Sequence, residues 1–314
     1  MAFCQSFMTE LYRHIGADTD VPAGDIGVGA REIGYLFGQY KRIRNEFVGV
    51  LTGKPREFGG SRVRPEATGY GTVYFAQHML KEKGQDIKGK TVAISGFGNV
   101  AWGAAQKLVQ LGAKLVTISG PDGYIYDPEG ISTDEKVAFL LELRGSGKNI
   151  CAPYAEKFPE AKFVAGKKPW GVCQDFDVKV DLFIPCAMQN DVHMADAENI
   201  VASGCKFYCE GANMPTTNEA LVYLMDKMTA VGPAKAANAG GVACSCIEMG
   251  QNAGHTVYQH EDVYTQLHQI MRNIYNACAG AGEKYYGDKN ALVQGANIAG
   301  FEKVAEAMMA QGLV

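Results

Sequence analysis

Apolar residues recur at helical spacing in the first part of the chain. Phe7, Leu11 and Ile15 lie four positions apart, which predicts an amphipathic helix. Pro65 and Gly84 bracket a longer helical stretch, since proline suits a first helical turn and glycine suits a helix end. The elements predicted in this part are helices over residues 4–15, 30–44 and 65–83 and a strand over residues 48–51.

Beyond residue 84, short apolar blocks alternate with helical stretches. The predicted strands cover residues 91–95, 114–118, 162–164, 180–184, 206–209 and 229–231. The predicted helices cover residues 99–111, 133–144, 193–203, 216–226, 238–253, 261–284 and 301–311. Alternation of this kind is typical of βαβ units with right-handed crossovers. We therefore predict an α/β fold with a doubly wound, Rossmann-type parallel sheet.

A glycine motif lies between the first predicted strand of this region and the helix that follows it. Residues 96–101 read G-x-G-x-x-A. Gly96 is expected to make the tight turn, Gly98 to let the backbone approach a pyrophosphate, and Ala101 to let the helix pack on the strand. The helix N-terminus then offers N–H groups to the phosphates. This context of strand, turn, helix and second strand predicts a dinucleotide site.

The end of the second strand bears on the choice of cofactor. An acidic group there hydrogen-bonds the adenosine ribose and repels a 2′-phosphate, and Asp122 is the candidate. No nearby arginine or lysine follows it, which favours NAD over NADP. The sequence Pro-Asp-Gly is also a common turn, and that alternative stays open.

Three further loops contain polar residues with two interpretations each. Asp25 lies among glycines, either as a turn residue or as a carboxylate that transfers a proton. Asn213 follows a predicted strand, either as a nicotinamide contact or as a helix cap. Ser245 either caps a helix, which its spacing favours, or donates a hydrogen bond to a carboxylate.

Composition and charge limit the partners. The 314 residues suffice for two compact domains, and the net charge of −4 comes without a basic block, so neither nucleic acid nor a membrane surface is indicated. No apolar run reaches the roughly 18 residues of a membrane span, and we expect no leader peptide. Nine cysteines without zinc-site spacing predict reduced thiols in a cytoplasmic protein with no metal site.

Taken together, the loops resemble those of a known enzyme family. The motifs that carry the resemblance span residues 18–29, 64–71, 210–217, 238–242 and 294–301. In order and over essentially the whole chain, they are similar to the hexameric glutamate dehydrogenases of bacteria and lower eukaryotes. Phe97 and residues 119–123 resemble the members that use NAD.

The resemblance implies a reaction and a set of site residues. The family converts L-glutamate and NAD reversibly to 2-oxoglutarate, ammonia and NADH, and its subunits form a homohexamer. By matching motif, Asp25 is expected to transfer the proton, and Gly24, Val242 and Ser245 to bind the substrate. The expected cofactor contacts are Thr68, Gly96, Phe97, Gly98, Asn99, Val100, Pro121, Asp122, Cys186, Ala187, Asn213 and Asn238.

The family pattern also predicts how the chain divides. Residues 1–60 resemble part of a substrate and dimerisation domain, residues 61–288 an NAD-binding Rossmann domain, and residues 289–314 a helix that returns to the substrate domain. Family members carry lysine-bearing glycine loops before the segment that matches here, and this sequence contains neither Lys-Gly-Gly nor Gly-Gly-Gly-Lys. The second domain is therefore expected to be incomplete. The alternative function is an NAD-binding fragment or assembly subunit with impaired catalysis. A relative specific for leucine or phenylalanine is a weaker third reading, because Ser245 is polar.

Overall fold

The chain folds into two compact units. In this computed structural model the described residues are 1–25, 27–147 and 150–312. Unit 1 comprises Met1–Ala67 and Gly241–His268, and unit 2 comprises Thr68–Gly240 and Gln269–Val314.

These units differ from the domains predicted by family pattern. Residues 241–268 fall in unit 1, and residues 289–314 fall in unit 2. The binding role expected of each predicted domain stays a prediction.

The described residues contain both helices and strands in alternation. In chain order, the helices are α1 (Ala2–Leu11), α2 (Ala30–Arg44), α3 (Ala67–Glu82), α4 (Asn99–Gln110), α5 (Asp134–Gly145), α6 (Ala152–Lys157), α7 (Val172–Phe176), α8 (Met194–Ala202), α9 (Asn218–Lys227), α10 (Ala234–Ala237), α11 (Gly240–Ala253), α12 (His260–Tyr286) and α13 (Leu292–Gln311). The strands are β1 (Thr91–Ile94), β2 (Lys114–Gly120), β3 (Gly123–Tyr126), β4 (Lys162–Ala165), β5 (Leu182–Ile184), β6 (Phe207–Cys209) and β7 (Ala230–Gly232). Among the described helices, none is both long and apolar enough to cross a membrane.

Unit 1 has a core built on α2. Its buried residues Ile33, Leu36, Phe37 and Tyr40 follow a helical repeat, so they form one apolar stripe. Helix α1 packs on this stripe and buries Met8. The core fixes the segment after α2, which carries the polar residues described below.

Unit 2 is built on one seven-stranded sheet with the order β4-β3-β2-β1-β5-β6-β7. Strands β2, β1, β5, β6 and β7 run parallel to one another, so their carboxyl ends lie along one edge. Strand β1 pairs with β2 on one side and with β5 on the other. From β1, the chain adds strands first on one side of the sheet and then on the other. Ligands bind at this point of reversal in folds of this class. The α/β fold class predicted from the sequence is confirmed.

One edge of the sheet differs from the predicted parallel arrangement. Strand β3 was not predicted, and it runs antiparallel to both β2 and β4. The reason is the Pro121-Asp122-Gly123 turn, because so short a connection returns the chain antiparallel and cannot make a crossover. Gly123 has φ of +148°, and an added Cβ would lie 2.2 Å from the Val164 carbonyl oxygen.

Two other elements differ from their predicted forms. Helix α13 begins at Leu292, nine residues before the predicted start. Gly295 lies inside it, where an added Cβ would lie 2.0 Å from the Cys278 carbonyl oxygen of α12. This glycine permits close helix packing and does not end the helix. Residues 48–51 form no regular strand, and Leu51 has a left-handed φ of +64°.

Candidate functional site

The glycine turn of unit 2 is fixed to the ends of three neighbouring strands. Gly96 follows β1 with φ of +97°, and an added Cβ would lie 2.8 Å from the Cys186 carbonyl oxygen beyond β5. The Gly96 N–H donates to Ser119 Oγ of β2 at 2.8 Å. Only glycine suits this position, as expected for the first residue of the motif.

The turn opens at its second glycine. Gly98 is the N-cap of α4, and apart from its two chain neighbours no described residue has an atom within 4 Å of a Cβ added there. No side chain caps the helix, so the N–H groups of its first turn face this space. Phe97 and Ala101 are buried beneath the turn, while Asn99 is exposed and Val100 half-buried. Backbone donors beside open space at a helix N-terminus fit the diphosphate of a dinucleotide.

A chain of polar contacts, buried except at Lys168, supports the glycine turn. Ser95 Oγ donates to Asp191 Oδ2 at 2.8 Å and accepts from the Cys186 N–H at 3.2 Å. Lys168 Nζ lies 3.1 Å from Asp191 Oδ1. Burial raises the pKa of the Cys186 thiol, so Cys186 is a neutral packing residue at neutral pH. Ala187 beside it is exposed.

Asp122 lies in the β2–β3 hairpin turn next to the exposed Pro121. Its carboxylate accepts the backbone N–H of Cys151 at 2.9 Å and of Ala152 at 2.9 Å. The carboxylate therefore has a structural function in this hairpin. Its contact with the cofactor ribose stays a prediction.

Two predicted cofactor contacts of unit 2 touch each other. Asn238 Nδ2 donates to Asn213 Oδ1 at 2.7 Å, although 25 positions separate them in the chain. Asn213 is exposed on the loop after β6, and Asn238 lies between α10 and α11. Thr68 is half-buried in the first turn of α3, where its carbonyl accepts the Thr72 hydroxyl. The structure thus pairs the two asparagines at the carboxyl edge of the sheet.

In unit 1, Ser245 is the centre of a second polar group. It lies in the second turn of α11 and is 6% exposed. Its Oγ accepts from Thr52 Oγ1 at 3.1 Å and from Arg64 Nε at 3.0 Å. The alternative that Ser245 caps a helix is wrong, because it lies within α11. Val242 precedes it by three residues on the same helix and is 63% exposed.

A buried ion pair lies one turn further along α11. Lys54 Nζ is 2.7 Å from Glu248 Oε1. Glu248 also accepts the Gly53 N–H at 3.0 Å, and Lys54 donates to the Leu51 carbonyl. These bonds join the segment that contains Thr52 to the helix that contains Ser245.

Asp25 belongs to a loop joined to the same segment. The Val28 N–H donates to the Asp25 carbonyl at 2.8 Å, and Asp25 is exposed. A Cβ on the neighbouring Gly24 would lie 2.3 Å from the Val28 carbonyl oxygen, so this tight turn requires glycine. The Thr52 N–H donates to the Pro22 carbonyl at 2.9 Å. Unit 1 therefore connects the Asp25 loop to the Ser245 group through Thr52.

Two protein-family models match the sequence of this chain. The model described as glutamate/leucine/phenylalanine/valine dehydrogenase matches residues 59–312, and the dimerisation-domain model of that family matches residues 1–42. The chain belongs to the glutamate/leucine/phenylalanine/valine dehydrogenase family. The resemblance seen in the motifs is thereby confirmed.

Individual relatives in this dehydrogenase family are similar over the whole chain. The NAD-specific glutamate dehydrogenase of Clostridium symbiosum is 58% identical over 315 residues, which cover 100% of this chain and 68% of that protein. The NADP-specific glutamate dehydrogenase of Giardia intestinalis is 53% identical, with 100% of this chain and 69% of that protein covered. A crystal structure of Plasmodium falciparum glutamate dehydrogenase has a TM-score of 0.94 at 48% identity, over 99% of this chain and 65% of that one.

Sequence reasoning missed several residues of this dehydrogenase chain that the structure gathers in unit 1. They are Thr52, Lys54, Arg64 and Glu248. Arg64 stands in a motif used for the resemblance, but its contact with Ser245 spans 181 positions and no local spacing indicates it. The available sequence signal was the presence of the polar residues Thr52 and Lys54 directly after the apolar residues Val50 and Leu51.

Proposed function

We propose that this chain catalyses the reversible, NAD-dependent oxidative deamination of L-glutamate to 2-oxoglutarate and ammonia. One observation carries the choice of substrate. Both hydrogen bonds that the described residues make to Ser245 Oγ use it as the acceptor, so its own hydrogen remains for an acceptor on a ligand. Beside it stands the Arg64 guanidinium, and a hydroxyl donor next to a cation suits the side-chain carboxylate of glutamate.

The same observation separates glutamate from apolar substrates. A buried donor that leucine or phenylalanine leaves unpaired costs free energy, so a site of this kind discriminates against them. Gly24 and Val242 complete the proposed substrate residues. Asp25, on the loop tied to Thr52, is proposed to exchange a proton with the substrate amino group.

NAD, when bound, supplies the acceptor for the hydride that leaves the substrate Cα. The glycine turn and the N-terminus of α4 are proposed to hold its diphosphate. Asn213, Asn238 and Thr68 are proposed to contact the nicotinamide half, and Asp122 the adenosine ribose. Loss of the hydride from Cα and of a proton from the amino group leaves an imine, which water hydrolyses. The overall reaction converts glutamate, NAD and water to 2-oxoglutarate, ammonium, NADH and a proton.

Assembly and location follow the same proposal. The match of residues 1–42 to a dimerisation domain supports an oligomer, and we propose the homohexamer. Phe3 and Phe7 stack on α1 with ring centroids 6.3 Å apart, and both are at least half exposed. Nine free cysteines support a reducing, cytoplasmic location.

The test is an assay of the purified chain with each substrate and cofactor in turn. Glutamate with NAD should give NADH, with slower turnover of leucine, of phenylalanine and of glutamate with NADP. Binding of NADH is measured separately by fluorescence. Intact NADH binding without turnover would favour the impaired NAD-binding subunit, and absence of both would contradict the proposal.

A further inference from the structure

A single buried carboxylate joins the two loops that contain the paired asparagines. Glu210 directly follows β6 and is 3% exposed. Its Oε1 accepts the Thr216 hydroxyl at 2.6 Å, and its Oε2 accepts the Ala234 N–H at 2.9 Å. Thr216 ends the loop of Asn213, and Ala234 begins the short helix α10 that leads to Asn238.

These contacts close a ring. Starting at Glu210, the path passes through Thr216 to the loop of Asn213, across the amide hydrogen bond of 2.7 Å to Asn238, and back through Ala234. Each loop is therefore held at its base by the carboxylate and at its tip by the partner asparagine. The Asn213 loop is also held by backbone bonds from the Asn190 and Val192 N–H groups to the Met214 and Pro215 carbonyls. Loss of the carboxylate removes the side-chain link that the two loops share at their bases.

The backbone around Glu210 is independently fixed. The Glu210 N–H donates to the Gly232 carbonyl at 2.9 Å, and the next two N–H groups donate to the Pro185 carbonyl at 2.9 Å. The Tyr208 hydroxyl lies 2.7 Å from Thr216 Oγ1 and extends the same network. A change confined to the Glu210 side chain should leave the strand edge in place and act on the loops.

We propose that Glu210 is a positioning residue for the nicotinamide half of the cofactor site, acting through Asn213 and Asn238. This inference rests on the proposed function, since it takes the two asparagines as cofactor contacts. Glu210 itself does not contact the cofactor. It determines the spacing of the two amides that do.

The test compares the binding of two ligands, NADH and ADP-ribose, which lacks the nicotinamide. Glu210→Met keeps the volume but removes both acceptors, and NADH affinity should fall by about tenfold or more with little change for ADP-ribose. Glu210→Gln can accept from Ala234 and donate to Thr216, so it should restore most of the NADH affinity. Thr216→Val removes one of the two bonds and should give a smaller loss in the same direction, which keeps the test usable where Glu210→Met folds poorly.

Asp127→Asn is the matched control. Asp127 is also a fully buried carboxylate of unit 2, and it accepts from Lys136 and Tyr154 away from these loops. The Asp127→Asn substitution should lower the melting temperature, while the ratio of NADH affinity to ADP-ribose affinity stays that of the wild type. The inference is overturned if Glu210→Met and Thr216→Val keep that ratio, or if Asp127→Asn changes it equally. A wild-type chain that binds neither ligand would overturn the proposed function itself, whereas wild-type binding with an unchanged variant ratio overturns only this inference.

Discussion

The ammonium of Lys54 lies 2.7 Å from Glu248 Oε1, and neither side chain is more than 1% exposed. Because Glu248 follows Ser245 by one helical turn, this pair sets the position of the polar group in unit 1. Lys54→Met should destabilise the fold by about 3–5 kcal/mol, since it leaves a buried carboxylate without its cation. Urea unfolding measures the loss.

The double variant Lys54→Met with Glu248→Leu sharpens that test. It should be less destabilised than the sum of the single variants, because no uncompensated charge remains. Arg44 and Glu46 form an exposed pair at 3.0 Å, and Arg44→Ala should cost about 1 kcal/mol or less. Equal losses at the buried and exposed pairs would contradict the structural role.

The two glycines of the turn make separable predictions about cofactor binding. Gly96→Ala should disrupt the turn, because of its φ of +97° and the nearby Cys186 carbonyl, and NADH binding should be lost together with stability. Gly98→Ala should fold normally, since an added Cβ lies more than 4 Å from every described residue other than its chain neighbours. It should still weaken NADH binding by about tenfold or more, because the methyl group occupies the space of the diphosphate.

Gly280→Ala is the control for both glycine variants. Gly280 lies in α12 of unit 2, and an added Cβ there also meets nothing within 4 Å. Calorimetric titration with NADH should give the wild-type affinity for this variant. A Gly98→Ala protein that binds NADH as the wild type does would place the diphosphate elsewhere.

The sequence predicted those features whose cause is local. The G-x-G-x-x-A motif with its flanking strand and helix depends on neighbours in the chain, and Gly96 has the conformation and contacts that the motif requires. Strand β3 forms a local hairpin with β2, but its other antiparallel partner, β4, lies some forty positions away, and no local pattern indicates that pairing. The predicted start of α13 at residue 301 was too late, and the reason for a glycine at position 295, the close approach of Cys278, is a tertiary contact.

The residues of the candidate site also divide into those indicated by local sequence and those that only tertiary contacts bring together. Ser245 was identified by family motif, yet its partners Thr52 and Arg64 lie 193 and 181 positions away. No periodicity connects residues so distant, and only the folded chain brings them together. Asp122 shows the opposite case, because the turn interpretation of Pro-Asp-Gly was available locally and the hairpin has that form.

Asp25 is predicted to matter for turnover and not for cofactor binding. Asp25→Asn or Asp25→Ser should lower the rate of glutamate oxidation by about 10²–10⁴-fold, because the group that exchanges the proton is removed. NADH affinity should be unchanged, as the glycine turn belongs to the other unit. Asp18→Asn, at an exposed aspartate nearby in the chain, should leave both properties as they are. Loss of NADH affinity in Asp25→Asn would show that the residue is structural.

Ser245 is predicted to select glutamate. Ser245→Ala removes a hydroxyl donor to a carboxylate, and kcat/KM for glutamate should fall by about 10–100-fold with no change in the KM for NAD. The preference over leucine should fall by the same factor. Ser203→Ala supplies the control, because this serine follows α8 in unit 2, where it donates to the Ile200 carbonyl and accepts the Cys205 N–H. Retained preference for glutamate in Ser245→Ala would remove the assignment.

Lys107 leads to a prediction about pH and stability. It lies on α4, 6% exposed, and burial lowers its pKa to about 8 from 10.5. Its Nζ sits 4.2 Å from the centroid of the Tyr70 ring, a contact that favours the charged form and opposes the shift. The folded state therefore holds the proton less tightly than the unfolded state. Below pH 8 both states are protonated and the burial penalty is fully present.

Between pH 8 and 10.5 the unfolded state binds more protons, so the contribution of Lys107 to the free energy of unfolding should rise with pH. Lys107→Met removes this dependence and should be more stable than the wild type at pH 7 by at most about 3 kcal/mol. Melting temperatures of both proteins, measured across this range, should converge as the pH rises. Subtracting the variant from the wild type cancels the titration of the cysteines and tyrosines, which both proteins share. The same substitution at the exposed Lys303 should give a difference that does not vary with pH, and an equally flat difference at Lys107 would show that the lysine stays charged in the fold.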